Sequence, residues 1–394
     1  MQYRVDPRNG NRLSALGFGC MRFPSNALGR IDLPATEALV LDAVERGINY
    51  FDTAYLYRGN EEALGAIIAD NHLRDRLYLA TKLPHANCQA PEDFDRYFAE
   101  QKRRLRTERF DYYLIHNISN SDQWKRLVDL GIEQWIADKK ASGEIRSIGF
   151  SYHGSHGDFA NVVDAYDWDF CQIQYNYVNV NYQAGRAGLE LAASRGMPAV
   201  VMEPLLGGKL ADKLPKRAVE VLDRARTERT PAAWGLRWVW NHPEATVVLS
   251  GMNEAAQLEE NASVAERALP GSLAPDDLAA INEVVRIFNE TDKVSCTGCN
   301  YCMPCPKGIN IPGCFAAYNS SYALGWYEGV KQYVLSAGAM SNDPRYASSC
   351  VTCGVCAQHC PQHIPIPETL KDVRRRLQPA ILPPALKIAS RFMR

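Results

Sequence analysis

Eight short apolar runs, separated by stretches with helical spacing, constrain what this chain can fold into more than any other feature of it. The runs are Ala15 to Cys20, Ile48 to Thr53, Leu77 to Leu83, Tyr112 to His116, Ser147 to Ser151, Phe170 to Gln174, Ala199 to Glu203 and Thr246 to Ser250. Stretches between them have recognisable ends: Pro34 to Arg46 stopping at Gly47, Pro91 to Arg106, Gln123 to Ala141 stopping at Gly143, and Thr230 to Asn241 opening on Thr-Pro. Strand and helix therefore alternate. Eight parallel strands with crossover helices in about 250 residues form the closed (β/α)8 TIM barrel, an α/β fold whose active site lies at the carboxyl ends of the strands. A doubly wound open sheet shares the alternation, but no Gly-x-Gly-x-x-Gly follows the first strand. Ahead of the barrel, Tyr3 to Val5 and Arg12 to Ser14 flank the turn-rich Asp6-Pro7-Arg8-Asn9-Gly10-Asn11, a hairpin suited to plugging one end.

The barrel does not use up the chain. At 394 residues the length exceeds what one hydrophobic core supports, so a smaller domain is expected beside the large one. Asp276 to Glu290 reads as one more amphipathic helix before the composition changes at Thr291-Asp292-Lys293. That sets domains at 1–290 and 291–376, followed by a proline-broken tail, 377–394, whose end, Ala385 to Arg394, is amphipathic. Within the second domain, Tyr318 to Met340 has helical spacing, so a mainly helical module is expected there. A net charge of −1 gives no reason to expect nucleic acid or an anionic membrane as partner. No apolar run reaches the roughly 18 residues of a spanning helix, and the amino end is polar, so a cytoplasmic protein is expected.

Polar residues ending the second, third and fourth strands carry the chemistry. Asp52 closes Tyr50-Phe51-Asp52 with Tyr57 five positions on, Lys82 closes Ala80-Thr81-Lys82, and His116 closes Tyr112-Tyr113-Leu114-Ile115-His116. A free phenol, with a pKa of about 10, is a poor acid at neutral pH, and a neighbouring ammonium stabilises its phenolate. Lys82 suits that role for Tyr57, Asp52 would hold Lys82 charged and in place, and a neutral His116 could donate a hydrogen bond to a bound carbonyl. Taken singly, Asp52 reads as a helix cap, Lys82 as a surface charge and His116 as a packed side chain. Together on consecutive strand ends they describe carbonyl reduction.

This set, within Phe51-Asp52-Thr53-Ala54-Tyr55-Leu56-Tyr57, resembles the Asp, Tyr, Lys, His tetrad of the aldo-keto reductases. The resemblance covers roughly residues 1 to 290. It extends through Gly59-Asn60-Glu61-Glu62-Ala63-Leu64-Gly65, Ile148-Gly149-Phe150-Ser151, Gln172-Ile173-Gln174-Tyr175-Asn176 and Leu236-Arg237-Trp238. It implies a nicotinamide cofactor across the barrel mouth and a small-molecule carbonyl or alcohol substrate, with Ser151 and Gln174 near the carboxamide and Tyr175 stacked on the ring. Loops after the seventh and eighth strands of barrels often bind phosphate through backbone amides and a helix amino terminus. Here they carry Leu206-Gly207-Gly208-Lys209 and Ser250-Gly251-Met252-Asn253, the second leading into a helix from Glu254 to Ala268. In that helix Glu260-Asn261 matches the family's adenine-side pair. Gly251-Met252 and Gln257 stand where many members have a Lys-Ser pair and an Arg for a 2'-phosphate, which leaves NAD and NADP both open. Tyr152 stands where the family usually has Asn. Substrate identity is expected to lie in loop residues such as Met21, Arg22, Tyr55, Trp124 and Tyr152.

Nine of the 12 cysteines fall between Cys296 and Cys360. In a reducing compartment such crowding reads as metal ligation and not as disulfides, with Cys20, Cys88, Cys171 and Cys314 left as packed residues and His359 and His363 on the surface. The run Cys350-Val351-Thr352-Cys353-Gly354-Val355-Cys356-Ala357-Gln358-His359-Cys360-Pro361 matches the C-x2-C-x2-C-x3-C-P pattern of bacterial ferredoxins, and Cys296 to Pro306 repeats it with one residue fewer before its last cysteine. In that pattern the fourth cysteine of each run ligates the other cube. Two [4Fe-4S] clusters are therefore implied, one held by Cys296, Cys299, Cys302 and Cys360, the other by Cys350, Cys353, Cys356 and Cys305. Zinc knuckles also use C-x2-C pairs, but paired C-x2-C-x2-C runs with a Cys-Pro fit cubes better. The resulting expectation is an oxidoreductase barrel with a helical ferredoxin-like domain. Nicotinamide moves two electrons as hydride and each cube moves one. A bound flavin, a docked redox partner protein or purely structural clusters would each reconcile the two. A nucleotide-binding redox sensor without turnover is the alternative from another class.

Overall fold

The computed structural model describes residues 1–26, 29–267, 269–337 and 344–378. The chain packs as two compact units, Met1–Leu205 with Ala232–Ala274, and Leu206–Pro231 with Pro275 onward. The expected proline-broken tail lies outside the described residues from Pro379 on, as do Met340 and Ala268, the expected ends of two helices.

In the first unit a two-stranded hairpin, β1 (Tyr3–Val5) and β2 (Arg12–Ser14), precedes eight barrel strands. These are β3 (Leu16–Gly19), β4 (Tyr50–Asp52), β5 (Tyr78–Leu83), β6 (Phe110–Ile118), β7 (Ile145–Tyr152), β8 (Phe170–Gln174), β9 (Ala199–Met202) and β10 (Ala245–Ser250). They pair in parallel in chain order, and β10 closes on β3. All eight apolar runs are strands, as the alternation required.

Successive strand residues face opposite sides, so every second residue points into the barrel. Reading upward, the series is Tyr50 then Asp52, Ala80 then Lys82, Tyr112 and Leu114 then His116, and Phe170 then Gln172 and Gln174. The lower members form one buried cluster with Leu13, Val200, Val247 and Leu249. Its rings meet closely, Tyr112 lying 5.2 Å from Tyr50 and 5.0 Å from Phe170. Apolar and aromatic bulk fills the amino-terminal end, and the inward charged side chains of these strands, Asp52 and Lys82, appear at the carboxyl ends.

The hairpin turn closes the other end. Tyr112 donates its hydroxyl hydrogen to Asp6 at 2.8 Å, and the amides of Asn9 and Asn11 donate to Tyr112 and Ser147. Helix boundaries follow the expectations within a residue or two except where a glycine intervenes. The stretch from Gln123 to Ala141 is two helices, Ser121–Asp129 and Ile132–Ala141, because Gly131 takes φ +86° between them.

The second unit is helical. Lys216–Ala225 lies along Pro275–Thr291, with Arg226 and Arg229 paired to Asp277 and Arg217 to Glu290. Composition marks a border after residue 290, and by contacts these two helices fall in one compact unit with the cysteine-rich segment. The expected helix from Tyr318 is broken at Gly325, giving Ile311–Ala323 and Trp326–Ser336, and Ile366–Leu377 completes the bundle. Val294, Ile309, Phe315, Tyr333, Leu370 and Val373 form its core, against which Cys296, Cys302, Cys305, Cys350 and Cys360 pack. Among the described residues, no helix is long and apolar enough to cross a membrane.

Candidate functional site

Four of the sequence-selected residues converge at the carboxyl ends of β4, β5 and β6. Lys82 is buried, and its ammonium donates to Asp52 Oδ1 at 2.6 Å, Asp52 Oδ2 at 2.7 Å and Thr53 O at 2.7 Å, which uses all three of its hydrogens. The same Nζ stands 5.1 Å from the centroid of the Tyr57 ring. Tyr57 follows in the loop after β4, where its amide bonds Ala54 O and its carbonyl accepts from Asn60 at the start of the next helix. It is half-buried. His116 meets the Tyr57 ring edge-on at 6.0 Å.

Burial sets the charge states. It pushes the Asp52 carboxyl up, and the Lys82 ammonium pulls it back. For His116 burial comes first and the Lys82 charge second, and both hold the imidazole well below its ordinary value, so the ring is neutral near pH 7. A neutral imidazole keeps one N–H for donation.

A residue that sequence reading did not single out belongs with this set. Gln172 on β8 lies near Asp52 from across the barrel and helps to pull its carboxyl down. Its signal was present in the polar, apolar, polar order of Gln172-Ile173-Gln174, which puts two amides on the inward face. A second buried network braces the site from behind. Glu61 accepts from Thr81 at 2.7 Å and from Gln101 at 2.8 Å, and Gln101 also donates to the Lys82 carbonyl at 3.1 Å. Arg104 pairs with Glu61 at 3.2 Å and lies 4.1 Å from the centroid of the Tyr55 ring, two residues before Tyr57.

The expected nucleotide residues fall into three groups. Ser151 and Gln174 are buried at the ends of β7 and β8, and Ser151 Oγ accepts from the Asn117 amide at 2.7 Å. Ser250 and Asn261 meet, the Asn261 amide donating to Ser250 Oγ at 3.1 Å. Gly251 beside them has the Arg22 side chain 3.3 Å from where a Cβ would sit. Glu260 lies in the same helix, Ala255–Arg267, which the loop 250–253 enters from its amino end. Tyr175 is fully buried, packed 5.0 Å from Trp238 and 5.2 Å from His242. Lys209 directs its ammonium to Asp292 and Val294 O, within the second unit, where Gly207 and Gly208 also belong. Trp124 and Tyr152, expected among the substrate loops, are buried too.

Parts of both cysteine runs come together in the second unit. One cavity is lined by Cys305, Cys350, Cys353 and Cys356 together with Ile311, Pro367 and Leu370. Four thiols lining one cavity with apolar neighbours are a donor set that suits a cube. Cys20, Cys88, Cys171 and Cys314 are buried, and His359 and His363 are exposed, as expected.

A closed parallel barrel with an acid, an ammonium, a phenol and a neutral imidazole at its carboxyl end, followed by a helical cysteine-rich segment, defines a barrel oxidoreductase class. Comparison with known proteins makes the class specific. Residues 15–286 match the aldo/keto reductase family and residues 295–364 match the 4Fe-4S dicluster domain, so the chain belongs to the aldo/keto reductase family and carries a 4Fe-4S domain after it. A 6-dehydroglucose reductase of Novosphingobium aromaticivorans is 28% identical over 284 residues, 66% of this chain and 89% of that protein. An aldo-keto reductase of Mycolicibacterium vanbaalenii is 29% identical over 282 residues, 69% of this chain and 88% of its own. Among solved structures, the aldo-keto reductase AKR11C1 from Bacillus halodurans in its holo form superposes with a TM-score of 0.59 at 23% identity, over 72% of this chain and 96% of that one.

Proposed function

We propose that the barrel interconverts a small-molecule carbonyl and its alcohol with NAD or NADP, and that Tyr57 is the general acid and base. The observation that carries this reading is the Lys82 ammonium, fixed by three hydrogen bonds and standing 5.1 Å from the Tyr57 ring centroid. Such a charge stabilises the phenolate that remains when Tyr57 gives its proton to the carbonyl oxygen. Asp52, which accepts two of those hydrogen bonds, keeps the ammonium from turning away. Neutral His116 orients the carbonyl by donating to its oxygen, and in the reverse direction the Tyr57 phenolate takes the alcohol proton. Nicotinamide, when bound, would supply or accept the hydride. Ser151 and Gln174 would hold its carboxamide, and Ser250, Gly251, Glu260 and Asn261 its nucleotide end; a hydroxyl, side-chain amides and a helix entered from its amino end suit such a ligand.

The cysteine-rich segment, in the same reading, holds two [4Fe-4S] clusters in the crossed arrangement and moves single electrons. A flavin or a redox partner protein would convert between these and hydride. Cytoplasmic placement, where thiols stay reduced, belongs to the same reading. Tyr57→Phe should abolish carbonyl reduction while nucleotide binding, followed by fluorescence titration, stays within about twofold. Retained turnover in that variant would refute the mechanism.

A further inference from the structure

The second unit contains a buried ion pair that the proposed barrel chemistry does not use. Lys209 Nζ lies 2.7 Å from Asp292 Oδ1 and donates to Val294 O at 3.0 Å, with the two side chains only 15% and 9% exposed. Asn319 supports both partners. Its amide donates to Asp292 Oδ1 and, at 2.7 Å, to Val294 O, while its carbonyl accepts from the amides of Lys293 and Val294 at 2.9 Å each. The amide of Cys296 donates to the same Val294 carbonyl at 2.8 Å. One carbonyl therefore receives the Lys209 ammonium, the Asn319 amide and the N–H of the first cysteine in the run. Two residues before Lys209, Gly207 takes φ +65° and lies so close to the run that a Cβ would fall 2.4 Å from Thr297 O. The loop 206–209 is thus joined to the first cysteine run at two points.

A buried ion pair is a poor source of stability, because desolvation offsets most of the attraction. Its position suggests another use. Reducing a cube adds one negative charge, which a fixed cation nearby favours and a fixed anion opposes, most strongly away from water. The Lys209 ammonium and the Cys296 amide share the Val294 carbonyl, which holds the cation beside the first ligand of the run. We infer that Lys209 raises the reduction potential of the cluster assigned to Cys296, Cys299, Cys302 and Cys360, with Asp292 as its opposing charge. Lys209 is on this account a tuning residue of the electron path and not a phosphate ligand. The inference rests on the proposed cluster assignment.

The test is an EPR-monitored redox titration of the anaerobically purified full chain, with iron and sulfide quantified. The relevant cluster is identified as the one whose signal changes in Cys299→Ser. Lys209→Gln should move its midpoint potential in the negative direction, and Asp292→Asn should move it in the positive direction. The other cluster should stay in place, and Lys209→Arg should keep the wild-type value. A merely structural role would move both variants the same way or shift both clusters together; either outcome, or no shift in either variant, overturns the inference. Wild-type protein with full occupancy of only one cluster, or none, would overturn the assignment beneath it, and the inference with it.

Discussion

Asp52 and Lys82 depend on each other, because each is a charge taken out of water and compensated chiefly by its partner. Breaking such a pair from one side typically costs about 3–5 kcal/mol. Lys82→Met should therefore lower unfolding free energy by about that much in urea titrations and abolish reduction, whereas Asp52→Asn with Lys82→Met should recover part of the stability and none of the activity. His85 makes a separate prediction. Burial pushes its imidazole down to about 4 from an ordinary 6.5, so the fold holds it neutral. The unfolded chain takes up the proton first as pH falls, so this stabilisation is present above about pH 6.5 and is lost as pH drops through 4, on the order of 3 kcal/mol in all. His116 is depressed in the same direction. Melting followed by circular dichroism at pH 7 and pH 5 should show this loss, and His85→Gln should reduce it. Asp52, Lys82 and His116 were legible in sequence because strand parity fixes which way a strand-end residue points. The packing neighbours of Tyr175 and Lys209 were not, because both lie beyond a strand end, where alternation no longer decides direction.

At the level of elements, what positions Tyr57 is the fit between helices Asn60–Asp70 and Glu92–Leu105 behind its loop. Gly65 makes that fit possible: a Cβ there would lie 2.2 Å from the Arg104 carbonyl oxygen and 2.6 Å from the Leu105 Cα. Backbone cannot yield as a flexible side chain does, so Gly65→Ala should force the helices apart and destabilise the barrel by at least the roughly 1–3 kcal/mol typical of overpacking. The displacement also reaches Arg104, whose guanidinium holds Glu61 and the Tyr55 ring, so kcat should fall with stability. A variant with wild-type melting and kcat would show that the close approach is dispensable. Element type and order were readable from periodicity throughout this region. The breaks at Gly131 and Gly325 were not, since a glycine inside a periodic stretch is compatible with both a continued helix and an αL turn until its neighbours pack.

For the whole molecule, the division into units predicts how it comes apart. The second unit has a small core, and seven of its cysteines pack against or within it, so in the proposed reading ligand binding and folding of that unit are coupled. Removing iron leaves thiols that burial disfavours as free thiolates, Cys302 being pushed up to about 12, and deletes the link that ties the two runs together. The barrel core has no such dependence. Composition suggested that only residues after 290 would respond, because the chemistry-bearing cysteines lie there. Packing places Leu206–Pro231 in the same unit, through the Lys209 and Asp277 ion pairs. Chelation under anaerobic conditions should therefore expose 206–231 and the segment from 275 to limited proteolysis together, while 1–205 stays protected. Peptide mapping of the cut sites, with about eight irons per chain as the loaded reference, distinguishes the two. Cuts confined to residues beyond 290 would mean that the loop after β9 belongs to the barrel after all.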